Sequence, residues 1–302
     1  MNLCVITWYS NFMEAKNSKM KAICYTLSCI LLWAFIPVVS KFGQSTLDNV
    51  QFLFWSSALS LVIVFLAAVF AGKISSMKAY SPKRILHALF LGFLGTFLYY
   101  LLLYHGYAHA QGLEVLALQY TWPIFIVLFS VVFLKERPNA RTIVALILGF
   151  LGVLIVLTKG RIKTLEFSNL GADFIVLIAA SVFGLFSVLS KKSNNEAYSA
   201  TVYFFISATV FSAFTMLLTS HFAIPQGMAW LPILVNGALI NGLSYVLWLQ
   251  ALKHGKASFV APFVFLTPVI AALLIALFFQ EPLLPAYIFG LVAVVLAGVI
   301  AK

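Results

Sequence analysis

The chain of 302 residues is far more apolar than a water-soluble domain. Hydrophobic residues make up 63% of it and charged residues only 9%, whereas soluble domains carry about 25% charged residues. A water-soluble fold of this length cannot bury so much apolar surface, but a lipid bilayer can solvate it. The composition therefore excludes a soluble fold and predicts an all-α membrane protein.

The net charge of +11 does not indicate nucleic-acid binding, because the basic residues punctuate the apolar runs and form no single patch. Such punctuation is how orientation is encoded in membrane proteins. The three cysteines, Cys4, Cys24 and Cys29, are odd in number and lack metal-ligand spacing. They predict free thiols, with neither a disulfide framework nor a metal site.

Ten apolar runs can be followed along the chain, and each is close to the length of about 20 residues that spans the hydrocarbon. The first run is longer than a signal peptide and lacks a small-residue cleavage site, so we expect a retained helix. Residues 1–19 fit poorly with the rest, and Met20 offers an alternative start, so this N-terminal tail is assigned no function. The predicted spans are 22–40, 50–71, 85–106, 112–134, 141–158, 170–190, 199–220, 230–252, 257–279 and 284–301.

The distribution of Lys and Arg predicts the orientation. With ten spans and a cytoplasmic N-terminus, 15 of the 19 basic residues lie on the cytoplasmic side. The remaining four are Lys41 and the group Lys159, Arg161 and Lys163, near the junction of the two halves. This bias predicts that both termini are cytoplasmic and that the protein is a multi-pass protein of the inner (plasma) membrane.

An internal repeat divides the chain into two similar halves. Residues 89–136 fall on 234–281 without a gap at an offset of 145, and Ser40-Lys41 falls on Ser190-Lys191 at an offset of 150. Apolar coincidences are common in such a sequence, so the argument depends on five pairs of other residue types. These pairs are Gly92/Gly237, Tyr100/Tyr245, His109/His254, Pro123/Pro268 and Glu136/Glu281.

Five spans per half is an odd number, so the second copy must enter the membrane from the opposite side. Inverted repeats are typical of secondary transporters, in which one half rocks against the other. We therefore predict two inverted five-helix repeats around a central cavity. The first repeat covers 20–158, a linker covers 159–167, and the second repeat covers 168–301.

Two polar-aromatic stripes occupy equivalent helices. The spacing i, i+4, i+7 places the members of each stripe on one helix face. Such stripes suit a cavity for a flat, partly apolar solute, because each ring carries one polar atom that can orient a ligand. Interfacial aromatic belts and helix packing are the alternatives, and for Tyr107, near a helix end, the belt is favoured. The third span presents Tyr100, Tyr104 and Tyr107, and the eighth presents Asn241, Tyr245 and Trp248.

The fourth span contains Tyr120-Thr-Trp122-Pro123. Tyr120 and Trp122 are about 200° apart on an ideal helix, so both can face one cavity only if a bend rotates the turn. Proline inside a membrane helix bends the axis where protein or a cavity satisfies the freed carbonyl. Pro123 and Pro268, in matching places, are either paired hinges or plain kinks.

Glu114 lies near the start of the fourth span. A carboxylate close to the hydrocarbon could orient a substrate amine or carry a proton, but in the first turn it also complements the helix dipole, which is the favoured interpretation. His109 and His254 flank tight hairpins and are expected to be structural. No catalytic motif, phosphate-binding loop or metal-ligand spacing occurs, so we expect neither an enzyme nor a cofactor.

The segment from Trp33 to Lys41 and Glu136 at the end of the fourth span, together with the ten-span plan, resemble the drug/metabolite transporter superfamily with its EamA repeats. The resemblance covers nearly all of residues 20–301. A narrower similarity links this chain to the bacterial aromatic-amino-acid exporters. It is carried by Gln111-Gly-Leu-Glu114-Val, Tyr120-Thr-Trp122-Pro123, Tyr245-Val-Leu-Trp248 and His254-Gly255.

The narrower resemblance implies ten helices arranged as a basket around a largely hydrophobic cavity, with Tyr120 and Trp122 among its lining residues. It also implies export of aromatic amino acids and related compounds. The chain departs from those exporters in the sixth span, where Phe183 replaces a tryptophan and Phe186 replaces a tyrosine. The departure bears on the substrate more than on the fold or on transport.

The sequence thus favours a secondary exporter of amino acids or similar small metabolites that acts by alternating access. A broad drug or metabolite exporter and an uptake carrier remain open, and an intramembrane enzyme or lipid-handling protein is a remote alternative. We expect a small-molecule solute and the lipid bilayer as partners, no nucleic acid, and a chain able to act as a monomer.

Overall fold

The computed structural model describes residues 3–43, 46–110, 112–161, 169–280 and 284–301. Within these ranges the chain is helical and contains no β-strand. Nine of the helices described there are long and apolar enough to cross a membrane, and a tenth is shorter. We label them α1 Lys16–Ser40, α2 Asn49–Phe70, α3 Pro82–Leu103, α4 Glu114–Leu134, α5 Ala140–Leu157, α6 Leu170–Ser193, α7 Ala197–Thr219, α8 Gly227–His254, α9 Ala257–Phe279 and α10 Pro285–Ile300.

These helices confirm the ten predicted spans, with ends that differ by no more than six residues. The largest difference is at the start of α1, because an unbroken helix runs from Leu3 to Ala34 and takes in most of the predicted tail. We call the side on which α1 begins and α10 ends the terminal face, and the opposite side the distal face. Odd-numbered helices run from the terminal to the distal face, and even-numbered helices return.

Helices α3 and α8 contain π-helical segments at the same place in the repeat. The segments are Phe93–Leu98 in α3 and Asn236–Leu243 in α8, and the offset of 145 maps the first onto the end of the second. A π turn carries an extra residue and changes the register of the side chains that follow it. The repeat therefore extends from the sequence to the irregularities of the backbone.

Helices α4 and α9 are also interrupted at matching positions. The first is broken at Tyr120 and Thr121, and the second tightens into a 3₁₀ turn that ends at Phe265. Pro123 and Pro268 each lie in the first turn of the helix that follows, where the missing N–H of proline costs no hydrogen bond. The pieces are Gly112–Gln119 and Trp122–Leu134 in α4, and Ala257–Val260, Ala261–Phe265 and Leu266–Phe279 in α9.

The two halves interlock through glycines on the π-helical segments or next to them. A Cβ on Gly92 would lie 2.4 Å from the backbone of Phe204 in α7, and one on Gly237 would lie 2.9 Å from the carbonyl oxygen of Ser56 in α2. Hydroxyl groups donate across the same two contacts. Thr96 Oγ1 donates to the Phe204 carbonyl (3.0 Å) and Ser60 Oγ to the Gly237 carbonyl (2.9 Å). Small residues and polar groups at such contacts are typical of helix packing in lipid.

Helices α5 and α10 approach each other in the same way. A Cβ on Gly152 would lie 3.0 Å from the carbonyl oxygen of Gly290, and one on Gly290 would lie 2.2 Å from Val156. The outer surface of the bundle is apolar, as a lipid-facing surface requires. Among its exposed side chains are Phe70, Leu86, Ile147, Leu217, Leu277 and Phe289.

Candidate functional site

A cluster of aromatic rings fills the centre of the bundle, and Trp33 in α1 is its hub. The Trp33 ring lies 5.9 Å from Trp122, 6.0 Å from Phe183, 6.4 Å from Tyr245 and 5.5 Å from Trp248, measured between centroids. Most of these pairs meet edge to face, the arrangement that aromatic rings favour. We call these five residues, drawn from four helices of both halves, the aromatic core.

Protein atoms already satisfy three of the polar groups in the aromatic core. Trp33 Nε1 donates to Ser244 Oγ (2.7 Å), and Trp248 Nε1 donates to Ser187 Oγ (3.1 Å). The Tyr245 hydroxyl donates to the carbonyl of Gly95 at 3.0 Å. Buried polar groups that are hydrogen-bonded in this way fix a unique arrangement of the core. Tyr245 and Trp248 are 1% and 0% exposed, so both serve mainly as the wall behind the site.

The break in α4 brings Tyr120 and Trp122 to the same space. Both border a small cavity together with Phe183 and Tyr245, which an unbroken helix would not allow. At the break, the Leu118 carbonyl accepts hydrogen bonds from both the backbone N–H (3.1 Å) and Oγ1 (2.6 Å) of Thr121. The rotation that the sequence requires for both rings to face one cavity is therefore present.

A larger cavity of about 470 Å³ adjoins the small one. The two share Ile36, Tyr99, Tyr100, Gln119 and Tyr120. The volume of the larger cavity is in the range of known small-molecule sites. It extends toward the distal face, because its lining reaches the helix ends there, at Ser40 of α1, Asn49 of α2 and Leu157 of α5. The rest of its lining is apolar: Pro37, Leu103, Leu116, Pro268, Ala271, Ala272 and Ile275.

The structure places the other predicted site residues at different depths. Tyr100 lines both cavities, and its hydroxyl donates weakly to Asn241 Oδ1 at 3.4 Å, so Asn241 lies just behind the wall. Pro268 lines the larger cavity, whereas Pro123 is buried in the helix that begins at Trp122. The side chain of Tyr104 lies outside the part of the chain that the structure describes.

Glu114 borders neither of the two cavities and is 1% exposed. The carboxylate of Asp173, 5% exposed in the first turns of α6, lies within its electrostatic range. Neither oxygen of Asp173 has a hydrogen-bond partner among the described residues. The two acids thus lie beside the site, close to the distal face.

Four residues of the site were not singled out as candidates by the sequence: Trp33, Tyr99, Gln119 and Thr267. Gln119 Nε2 donates to the Tyr99 hydroxyl at 3.0 Å, and both residues line the two cavities. Thr267 borders the small cavity, and its hydroxyl has no hydrogen-bond partner in the described part of the chain. A signal existed for Thr267, because the repeat offset of 145 pairs it with Trp122.

The terminal face is closed below the aromatic core by contacts between loop ends. The Glu136 carboxylate accepts hydrogen bonds from the backbone N–H groups of Ala257 and Ser258, each at 2.9 Å, and from the Ser258 hydroxyl at 2.7 Å. Lys191 Nζ donates to the carbonyls of Leu252 and Gly255, at 2.5 and 2.6 Å. An anion at a helix N-terminus and a cation at a helix C-terminus both complement the helix dipoles.

Ten apolar helices in two inverted halves, with a cavity between them that is closed toward one face, define a polytopic α-helical membrane transporter. The sequence profile of the EamA-like transporter family matches residues 20–158 and 170–301. The chain therefore belongs to this family, within the drug/metabolite transporter superfamily, as the sequence motifs predict.

Relatives of known name are transporters at modest identity. The uncharacterized transporter YyaM of Bacillus subtilis is 24% identical over 257 residues, 82% of each chain. The pseudopaline exporter CntI of Pseudomonas aeruginosa is 25% identical over 224 residues, 73% of this chain and 74% of its own. The aromatic amino acid exporter YddG of Escherichia coli is 25% identical over 190 residues, 59% of this chain and 63% of its own.

A solved crystal structure superposes on the chain with a TM-score of 0.83. It covers 93% of this chain and 96% of its own length, at 19% sequence identity. At that identity, the likeness shows the fold.

Proposed function

We propose that the protein is a secondary exporter of aromatic amino acids or chemically related small metabolites, and that it works by alternating access. The observation that carries the proposal is the cavity of about 470 Å³, which Tyr99, Tyr100 and Tyr120 line and which adjoins Trp122 and Phe183. Ring faces suit a flat, partly apolar solute. The relationship to an aromatic amino acid exporter supports the same substrate class.

The polar groups at the cavity match the charged amino and carboxylate groups of an amino acid less well than the aromatic residues match its ring. Gln119 and Asn49 offer amide groups, and the Thr267 hydroxyl adds a donor and an acceptor next to Trp122. Phe183 offers no polar atom. The chemistry of the lining therefore favours solutes whose recognition is dominated by an apolar or aromatic body.

The orientation follows from charge. If the face with 15 of the 19 basic residues is the inner one, both termini are cytoplasmic. The membrane is then the inner (plasma) membrane. In that orientation, the cavity extends toward the outside and Glu136 and Lys191 close the cytoplasmic face. Substrate need only bias two states that differ by a few kcal/mol.

The described lining residues of the larger cavity come from both halves of one chain. They come from α1, α2, α3, α4 and α5 in the first half and from α9 in the second. We propose that the monomer is the transporting unit. The proposed partners are a small-molecule solute and the bilayer, with no role for nucleic acid.

A second candidate is an exporter of a larger metabolite. The pseudopaline exporter is as similar as the aromatic amino acid exporter and aligns over more of the chain. The volume of the cavity admits a solute larger than tryptophan. An uptake carrier with the same cavity is the corresponding alternative in the opposite direction of net flux.

The test is tryptophan flux in liposomes that contain the purified chain. We compare the wild type with Trp122→Phe, which replaces the indole with a smaller aromatic ring and removes the N–H group. Losing part of a ring contact of about 0.5–1.5 kcal/mol raises the half-saturating concentration about two- to tenfold. Trp230→Phe is the matched control, because Trp230 packs against Trp55 (5.5 Å) and borders neither cavity.

Saturable flux that Trp122→Phe weakens and Trp230→Phe preserves supports an aromatic substrate at this cavity. A folded preparation that moves no aromatic amino acid above the level of empty liposomes overturns that substrate class. A competition series that adds larger amphiphilic metabolites then tests the second candidate.

A further inference from the structure

A further cavity, of about 390 Å³, lies on the terminal face and is separate from the candidate functional site. We call it the basic cleft, after Lys19, Arg137 and Lys256, which line it together with His254, Ser258 and Phe259. The three charged side chains are exposed at its mouth. Because the cleft lies beyond the closed end of the bundle, substrate in the central cavity does not reach it.

The described charges around the basic cleft are mainly positive. Lys21 and Lys253 lie within electrostatic range of His254, which adds two more cations to the three in the lining. The neighbouring carboxylate of Glu136 is already bound to the N-terminus of α9. No hydrogen bond or ion pair joins the side chain of Arg137 or Lys256 to another residue that the structure describes. Among the described residues the cleft therefore carries a net positive charge, and its complement is an anion.

The position of the basic cleft identifies the kind of anion. Its walls lie at the ends of membrane-spanning segments. Lys19 is near the start of the span α1, within the helix that begins at Leu3, Arg137 lies between α4 and α5, and Lys256 lies directly before α9. Helix ends lie at the depth of the lipid headgroups, where the phosphates of anionic lipids concentrate. Ala301, after the last turn of α10, also borders the cleft and connects it to the lipid-facing surface.

We propose that the basic cleft binds the phosphate of an anionic phospholipid headgroup. The Arg137 guanidinium can hold a phosphate through two parallel hydrogen bonds, and the two lysines add point charges. The bound phosphate joins the two halves, because Arg137 belongs to the first and Lys256 to the second. It therefore stabilises the arrangement in which Glu136 closes the terminal face. The proposal does not depend on which solute the protein carries.

The experiment measures lipid retention by native mass spectrometry, with the full-length protein taken from vesicles of phosphatidylcholine mixed with phosphatidylglycerol. The triple variant Lys19→Gln, Arg137→Gln, Lys256→Gln removes the three charges of the cleft. Because each basic residue near an anionic surface contributes about 1 kcal/mol, it should bind phosphatidylglycerol about a hundredfold more weakly. The triple variant Lys73→Gln, Lys78→Gln, Lys83→Gln is the matched control, with an equal charge change on the same face.

Preferential retention of phosphatidylglycerol by the wild type and the control, but not by the cleft variant, supports the proposal. Equal losses in the two triple variants overturn it, because the effect is then one of overall surface charge. A single Arg137→Gln variant, with an intermediate loss, covers the case in which the triple variant does not fold.

A second arm separates a lipid from a free anion. Inorganic phosphate is added to the detergent-solubilised protein, and hydrogen exchange is followed at the amides of Ala257 and Ser258. Protection that appears with phosphatidylglycerol vesicles but not with phosphate supports a lipid. Equal protection by phosphate alone overturns the lipid assignment and makes the cleft a small-anion site.

Discussion

Glu136 caps a helix of the other half of the molecule, and its closest partner there is Ser258. The Ser258 backbone N–H and hydroxyl both donate to Oε2 of Glu136, at 2.9 and 2.7 Å, across 122 residues of sequence. Glu196 makes the same set of bonds with Ser199, at 2.8 Å for each donor, but within the start of its own helix. One carboxylate thus joins the two halves and the other only caps α7.

Replacing Glu136 with Gln should loosen the terminal face. A hydrogen bond to a charged group contributes about 1.5–3 kcal/mol, so exchange at the amides of Ala257 and Ser258 should accelerate about ten- to hundredfold. Hydrogen–deuterium exchange of the reconstituted protein measures this. Glu196→Gln is the control and should affect only the amides near residue 198. Unchanged protection at 257–258 would contradict a role for Glu136 in closure.

Lys191→Met should weaken the same closure from the other side. The substitution leaves the carbonyls of Leu252 and Gly255 without the ammonium group that now reaches them at 2.5 and 2.6 Å. Unpaired buried carbonyls cost about 1–3 kcal/mol each, so we expect a lower melting temperature and faster exchange at the end of α8. Lys192→Met controls for the loss of charge. The Lys192 side chain is exposed, and its Nζ lies 5.8 Å from the centroid of the Phe133 ring. Equal effects of the two substitutions would contradict the assignment.

Trp33 and Ser244 should be energetically coupled. Trp33→Phe and Ser244→Ala each remove one partner of a buried hydrogen bond of 2.7 Å, so each should destabilise the protein by about 1–3 kcal/mol. In the double variant the second substitution should cost about 1 kcal/mol less than it does alone. Thermal unfolding of the four proteins in one detergent measures the coupling. Strict additivity would show that the bond adds nothing to the aromatic core.

Gly95 in the π-helical segment of α3 should not tolerate a side chain. A Cβ there would lie 2.2 Å from the Phe186 ring, and overpacking of this kind costs about 1–3 kcal/mol. Gly95→Ala should therefore lower the melting temperature, and adding Phe186→Leu should restore part of the loss. Gly171→Ala is the control, because its Cβ meets no atom closer than 3.4 Å and alanine favours the helix. A Gly95→Ala protein as stable as the control would refute the close packing.

The ten helices could be predicted because each is about 20 apolar residues long and the breaks between them carry charge or glycine. The repeat was also visible, since five matched pairs of non-aliphatic residues share one offset. Tyr120 and Trp122 could be assigned to one cavity only on the condition of a bend. Pro123 indicates that bend, but its rotation depends on contacts with other helices.

The residues that form the inner wall of the site were harder to predict from the sequence. Helical periodicity cannot reveal the π-helical segment Phe93–Leu98, which changes the register before Tyr99 and brings it to the cavity beside Tyr100. Nor could periodicity show that Tyr245 and Trp248 would find hydrogen-bond acceptors on α3 and α6 and so pack as a wall. Partners distant in sequence decide which face of an aromatic stripe meets a ligand.

The matching π-helical segments in α3 and α8 also bear on the history of the molecule. A widened turn breaks the regular hydrogen-bond pattern of a helix. If each half had gained such a turn independently, each would have needed its own contacts to satisfy the freed backbone groups. A single acquisition requires only that the irregularity existed before the halves became distinct. Matching widened turns are therefore what two copies of one five-helix unit, crossing the membrane in opposite orientations, are expected to carry.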